Sequence, residues 1–150
     1  NMADLTTTIQ ESVTLNGSLR GSTNSVTTTG INDVFERIVT CVQGQETTVC
    51  NFAASPYTSS SAIDVDRAKY FRITNLSTTE NIEVAFVGSA TLYQVLITPG
   101  NSHILSQAEA ILLAEADTTP SFGTLEDLGR VTVKPTSTTD ARVEVFVGVE

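Results

Sequence analysis

Apolar residues along this chain recur at every second position. From Leu5 to Leu15 the odd positions read Leu5, Thr7, Ile9, Glu11, Val13, Leu15, set against Thr6, Thr8, Gln10, Ser12 and Thr14. A period of two with one wetter face predicts a half-buried strand. Asn16-Gly17 follows, the dipeptide best suited to a tight turn with positive φ. The polar continuation from Ser18 to Gly30 reads as a long loop or a loose edge strand. Val34 to Val42 alternates again, with Val34, Ile38 and Val42 opposed to Phe35, Val39 and Cys41. A turn at Gly44-Gln45 leads into Thr47–Ala53, and the two runs are expected to form a hairpin. Ser55 to Ser61 is a loop by composition.

Further strands are predicted over Lys69–Asn75, Asn81–Val87, Thr91–Thr98, Ser102–Ser106, Ala110–Ala114, Arg130–Lys134 and Arg142–Val149. Pro99-Gly100 and the stretch from Pro135 to Asp140 serve as turns. Asp117 to Gly129 reads as a second long loop, in which Leu125-Glu126-Asp127-Leu128 could make one helical turn. About ten short strands at this spacing predict an all-β fold, a two-sheet antiparallel sandwich of jelly-roll type, as one domain over residues 2–150. Its expected core is Ile9, Val13, Val39, Phe71, Ile73, Ile82, Val84, Phe86, Val95, Ile97, Val131, Val133, Val143, Val145 and Val147. One internal echo stands out: Ser77-Thr78-Thr79-Glu80 leads to Phe86-Val87-Gly88, and Ser137-Thr138-Thr139-Asp140 leads to Phe146-Val147-Gly148. It reads either as two ordinary hairpins or as two strands in equivalent places of the sandwich.

Composition sharpens the all-β reading. Thr occurs 24 times and Ser 14 times in 150 residues, while Lys occurs twice and Met once. Thr is β-branched and favours strands, and Ser favours turns. The net charge is −9, and the eight basic residues are scattered singly. Phosphate recognition needs clustered Lys and Arg, so neither nucleic acid nor an anionic membrane is expected as a direct partner. The longest apolar run, Ala110 to Ala114, falls far short of a membrane span. The start carries no basic and apolar regions of a signal peptide, so the expectation is a protein made in a cytoplasm without an export signal. Asn1 before Met2 reads as a cloning remnant.

Candidate chemistry is sparse. His103 is the single histidine, placed where a strand leaves the Pro99-Gly100 turn. It reads as a locally hydrogen-bonded side chain, with a catalytic base as the alternative. No Gly-x-Ser-x-Gly elbow, His-Glu-x-x-His motif or glycine-rich phosphate loop is present. Cys41 and Cys50 sit on opposite arms of the expected hairpin. If the connection is Gly44 to Thr47, Cys41 faces Cys50 and a disulfide fits; if the turn is Gly44-Gln45 alone, Cys41 faces Thr48 and it does not. Without an export signal, two reduced, buried cysteines are the default. Two thiols and a distant imidazole do not make a metal site, and no metal or other cofactor is expected. Asp64 and Asp66 would share a face on a strand, as a solvated strand entrance or a Ca²⁺ site, but the full Ca²⁺-loop signature is absent. Glycosidase clefts lean on aromatic platforms, and there is no Trp and only three Tyr. The expectation is no enzyme. Asn16-Gly17-Ser18 and Asn75-Leu76-Ser77 match the glycosylation pattern, by chance in a chain without a secretory signal.

Three stretches carry a family likeness. The opening from Met2-Ala3-Asp4-Leu5 to Asn16-Gly17 resembles the start of small virion proteins of tailed marine bacteriophages. Asp66-Arg67-Ala68-Lys69-Tyr70-Phe71-Arg72-Ile73-Thr74-Asn75-Leu76 is similar to their middle signature. The end, from Asp127 through Thr138-Thr139-Asp140 to Val145-Phe146-Val147, resembles theirs too. The likeness implies a non-enzymatic β-sandwich component of a virion: a decoration protein, head fibre or tail-associated part. It transfers no catalytic residue, and its implied partners are major capsid or tail proteins. Exposed strand edges are normally guarded by Lys or Pro, and Lys is scarce, so edges covered by a neighbouring copy are expected, most simply in a homotrimer. The alternative is a carbohydrate- or receptor-binding module with Tyr57, in the Ser55–Ser61 loop, as its aromatic contact.

Overall fold

A computed structural model describes residues 2–54, 62–114 and 122–150. Their regular structure is strand, apart from one 3₁₀ turn at Val65–Arg67. The strands are β1 (Ala3–Gln10), β2 (Val13–Leu15), β3 (Ser18–Arg20), β4 (Thr23–Ile31), β5 (Asp33–Cys41), β6 (Thr47–Ala53), β7 (Ile63–Asp64), β8 (Ala68–Asn75), β9 (Ile82–Val87), β10 (Leu92–Ile97), β11 (Ser102–Leu105), β12 (Leu112–Leu113), β13 (Leu125–Glu126), β14 (Arg130–Pro135) and β15 (Ala141–Val149). The all-β sandwich expected from period and composition is what forms.

One sheet runs β10-β9-β14-β6-β7 and the other β11-β8-β15-β5. The connections β5→β6, β8→β9, β10→β11 and β14→β15 each pass from one sheet to the other. The chain also changes sheet from β7 to β8 and from β11 to β14. Of the connections between these strands only β6→β7 and β9→β10 stay in one sheet, which is jelly-roll topology; β7 is a short parallel addition beside β6. The turns β5→β6, β8→β9, β10→β11 and β14→β15 gather at one end of the sandwich and are stitched together there. Gln43 N donates to Asp140 Oδ1 at 2.9 Å, Leu76 N to the Arg142 carbonyl at 2.8 Å, and Gly100 N to the Asn75 carbonyl at 2.9 Å. Hydrogen bonds from Ser137 and then Thr139, whose Oγ1 donates to the Glu80 carboxylate, hold the Glu80 pKa below its ordinary value.

This topology corrects the expected hairpin. β5 and β6 lie in different sheets and do not pair; β5 pairs with β15 and β6 with β14. The reason is that the connection after Cys41 carries the chain across to the other sheet, where β6 takes its place beside β14. The two Ser/Thr-rich turns of the echo are likewise crossings, and the strands that follow them, β9 and β15, sit in opposite sheets. Their surroundings correspond: β9 lies between β10 and β14, and β15 between β5 and β8. Leu125–Glu126 pairs with Leu112–Leu113, so the helical turn expected there does not form.

The core lies between the two sheets. Phe71, Ile73, Val143, Val145 and Val147 of one meet Ile82, Val84, Phe86, Val131 and Val133 of the other, all at most 1% exposed. Edge-to-face contacts link Phe52, Phe71 and Phe86 across the layers, with centroids 6.3 and 6.0 Å apart, the arrangement favoured by ring quadrupoles. Ile97 is buried as expected, and Val39 and Val95 are half-buried. Ile9 and Val13 are exposed instead, because the strands that carry them belong to neither main sheet. Asn75, unforeseen as a core residue, is fully buried, which closes its glycosylation pattern to modification in the folded chain.

Candidate functional site

Residues 3–31 fold back on themselves as a two-stranded ribbon. Partners in β1 and β4 (Leu5↔Thr28, Thr7↔Val26, Ile9↔Asn24) and in β2 and β3 (Val13↔Arg20, Leu15↔Ser18) keep one unbroken antiparallel register. The turn is the expected Asn16-Gly17, with φ of 51° and 79°, the left-handed pair that matches the twist of a tight hairpin. At Gly21 (φ 110°) a Cβ would stand 2.1 Å from the Glu11 carbonyl oxygen, so only glycine lets the two strands approach there. The stretch from Ser18 to Gly30, expected as loop or loose edge, is therefore the ribbon's return strand.

Only the base of the ribbon touches the sandwich. Leu5 and Ile31 pack over Gly148, whose missing Cβ would lie 3.1 Å from Leu5 Cδ2. From there Thr6, Thr7 and Thr8 run beside Tyr70, Arg72, Phe146 and Ile104, leaving a groove of about 310 Å³. Those four side chains belong to the outer face of the β11-β8-β15-β5 sheet, so the base of the ribbon lies over that face. Arg72 lies 5.8 Å over the Phe146 ring and donates to Glu144 at 2.7 Å. Beyond this point every residue from Thr8 to Thr27 is exposed. Leu5, Thr7, Ile9, Glu11, Val13 and Leu15, with Val26 and Arg20 from the return strand, share one face of the ribbon by alternation, and its Ile9, Val13, Leu15 and Val26 stand 44–59% exposed.

The two flanks of the sandwich differ. Between β10 and β11 the gap is filled by rings: Phe86 stacks on Tyr93 at 4.8 Å and lies 4.9 Å from His103, and Tyr93 Oη is 3.2 Å from His103 Nε2. Burial lowers the His103 pKa and raises that of Tyr93 to about 12, so the pair is neutral at physiological pH. Between β5 and β6 a cleft of about 240 Å³ remains, lined by Phe35, Arg37, Val39, Val49 and Cys50 among others. On the outer face of the β5 edge, Val34 and Ile38 are 44% and 54% exposed. β5 carries neither Lys nor Pro.

The remaining candidates do not converge. His103 meets a phenol, with the rings of Phe86 and Tyr93 around it. Asp64 and Asp66 do not share a strand face: Asp64 caps the 3₁₀ turn, accepting from Asp66 N at 3.1 Å, with Arg67 Nε 3.6 Å away. Asp66 is exposed and hydrogen-bonds the Glu109 carboxyl, which raises the Glu109 pKa. Cys41 and Cys50 are buried free thiols on strands of opposite sheets, and burial pushes them up to about 11 and about 12. Tyr57 lies outside the described residues. Among the described residues no cluster of three or more His, Cys, Asp or Glu side chains is placed to hold a metal ion, and no helix is long and apolar enough to cross a membrane.

The ribbon's apolar face is what sequence reading missed as a surface. Its signal was present in Asn16-Gly17 at the centre of a stretch whose charges between Met2 and Asn32 are only Asp4, Glu11 and Arg20.

No family model and no curated protein matches this chain. A solved structure described by the words "Bacillus endospore appendages form a novel family of disulfide-linked pili" aligns over 79% of this chain and 88% of that chain, at 7% identity and a TM-score of 0.37. A likeness at that level carries no argument here.

Proposed function

We propose that this chain is a non-enzymatic structural subunit that self-associates, most simply as a trimer, and packs on the major capsid or tail proteins of a bacteriophage particle. The observation that supports self-association is the ribbon beyond Thr8. An isolated two-stranded hairpin is marginal in water, yet the twenty residues from Thr8 to Thr27 are all exposed, with Ile9, Val13, Leu15 and Val26 on one side. A second body against that face would supply the burial it lacks. The virion setting rests on the likeness of the opening, middle and closing stretches to small phage virion proteins.

The test has two arms. Light scattering on the purified chain measures self-association, and the expected mass is a multiple of 16.0 kDa. Quantitative protein analysis of purified particles, before and after stripping of loosely bound components, tests the setting. A chain absent from every particle fraction overturns the virion reading.

A further inference from the structure

We infer that the free edge of β10 pairs with β10 of a second copy, antiparallel about a two-fold axis at Gln94, so that Leu92 of each copy stands opposite Leu96 of the other. This contact is separate from the ribbon and goes beyond the reading above. Each sheet has two edges: β10 and β7 in one, β11 and β5 in the other. β7 has two residues and β11 four, which is little ladder to offer. β5 carries Asp33, Glu36 and Arg37, charges of the kind that guard an edge. β10, Leu-Tyr-Gln-Val-Leu-Ile, carries no charge and no Pro, and no bulge breaks its register with β9. Among the described residues no strand or turn pairs with its outer side. Such an edge is a template for another chain.

Hydrogen-bond phase selects the register. Gly88 N donates to the Thr91 carbonyl at 2.8 Å, so Thr91 turns its backbone toward β9. Alternation along an antiparallel strand turns Tyr93, Val95 and Ile97 the same way and leaves the backbone groups of Leu92, Gln94 and Leu96 pointing out. Of the two-fold registers that match outward groups to outward groups, the one centred on Gln94 engages all three residues. Each opposing pair then exchanges both N–H···O bonds. The side chains are self-complementary in that register. Leu92 and Leu96, 51% and 58% exposed, meet across the seam, and Gln94 meets Gln94, whose amide both donates and accepts. On the inner side, half-buried Tyr93 and Val95 come opposite one another. Glu83 stands beside Leu96 within the chain, and its neighbour on the far side from the seam is Lys134, an opposite charge. Six residues a side are a fraction of the roughly 20–30 in a stable interface. The contact therefore fills where copies are crowded together and leaves the mass in dilute solution to the ribbon.

The test uses the full chain carrying Gln94→Cys, concentrated and treated with diamide. Opposing residues of a hydrogen-bonded pair lie about 5.5 Å apart at Cα, inside the range of about 4.4–6.8 Å that a disulfide spans. The paired thiols give their protons and electrons to the diazene, which is reduced to the hydrazine, and an S–S bond joins the copies. The native thiols of Cys41 and Cys50 are buried, so the wild type sets a low background. The expected result is a covalent dimer from Gln94→Cys several-fold faster than from Leu92→Cys or Leu96→Cys alone. In each of those the introduced thiols lie about 13 Å apart, four residues at ~3.3 Å each. Leu92→Cys and Leu96→Cys combined are expected to dimerise as fast as Gln94→Cys. Adding Gln94→Lys to that pair sets like charges opposite each other at an exposed position, and the covalent dimer is expected to disappear. Gln94→Cys reacting no faster than the single leucine variants overturns the inference. So does a dimer that persists with Gln94→Lys. Either result beside an assembled wild type in light scattering leaves self-association through the ribbon standing.

Discussion

Replacing Asn75 probes how the crossing turns are held. Its side chain is fully buried. Nδ2 donates to the carbonyls of Glu80 at 2.7 Å and Ile97 at 3.0 Å, and Oδ1 accepts from Ser77 N at 2.9 Å. One amide thus ties β8 to the turn that starts β9 and to the end of β10. Asn75→Ala strands two carbonyls and one N–H. At about 1 kcal/mol net per bond, and more where the stranded partner stays dry, the loss is about 3–5 kcal/mol. Asn75→Asp is the sharper test because size hardly changes. It keeps the acceptor for Ser77 but sets a carboxylate oxygen against two carbonyl oxygens, so at pH 7 it should cost at least as much as alanine. The folded state then disfavours the charged form, which raises the new carboxyl's pKa. Sign follows by linkage: the deficit relative to wild type shrinks as pH falls and the carboxyl gains a proton to donate. Urea unfolding at pH 7 and pH 4.5, with unchanged m-values, measures both effects. An aspartate variant within 1 kcal/mol of wild type at pH 7 would refute the reasoning.

Three further outcomes follow from the core. Phe86→Ala removes a fully buried ring in contact with Phe71, Tyr93 and His103 and should cost about 3–5 kcal/mol; a loss below 1 kcal/mol in denaturant unfolding would place the ring outside the core. His103 has a folded-state pKa below its ordinary value, so the unfolded chain binds more protons as pH falls below about 6.5. Stability should therefore decline on acidification through that range by more in wild type than in His103→Gln, and parallel pH profiles would contradict the burial. Cys41 and Cys50, with thiols raised to about 11 and about 12, should label slowly in the native state and fully in denaturant, since the thiolate is the reactive form; rapid native labelling of both would count against their placement.

Much of the fold was legible because alternation and turn chemistry are local signals. Asn16-Gly17 announced its turn, and Phe71, Ile73, Val84, Phe86, Val143 and Val145 lie in the core that their period indicated. Period alone does not say which layer a strand joins. The pairing of β5 with β6 was misread for that reason, and with it the geometry relating Cys41 to Cys50. Nor does period reveal whether the apolar face finds a partner within the same chain. Ile9 and Val13 have the pattern of core residues, but their ribbon projects beyond the sandwich. Leu125–Leu128 resembled a helical turn because short apolar–acidic runs fit either geometry; the pairing with Leu112–Leu113 that decided it is a tertiary matter. The candidate site stayed hidden for the same reason: an exposed apolar face is visible only once the body it misses is known.

The most direct test of the account is the solution mass of the wild-type chain by multi-angle light scattering across a wide concentration range, set beside Val13→Asp. The account predicts an assembly for the wild type, about three times 16.0 kDa for the trimer, and a 16.0 kDa monomer for the variant. A wild type that remains monomeric at the highest concentration would contradict it.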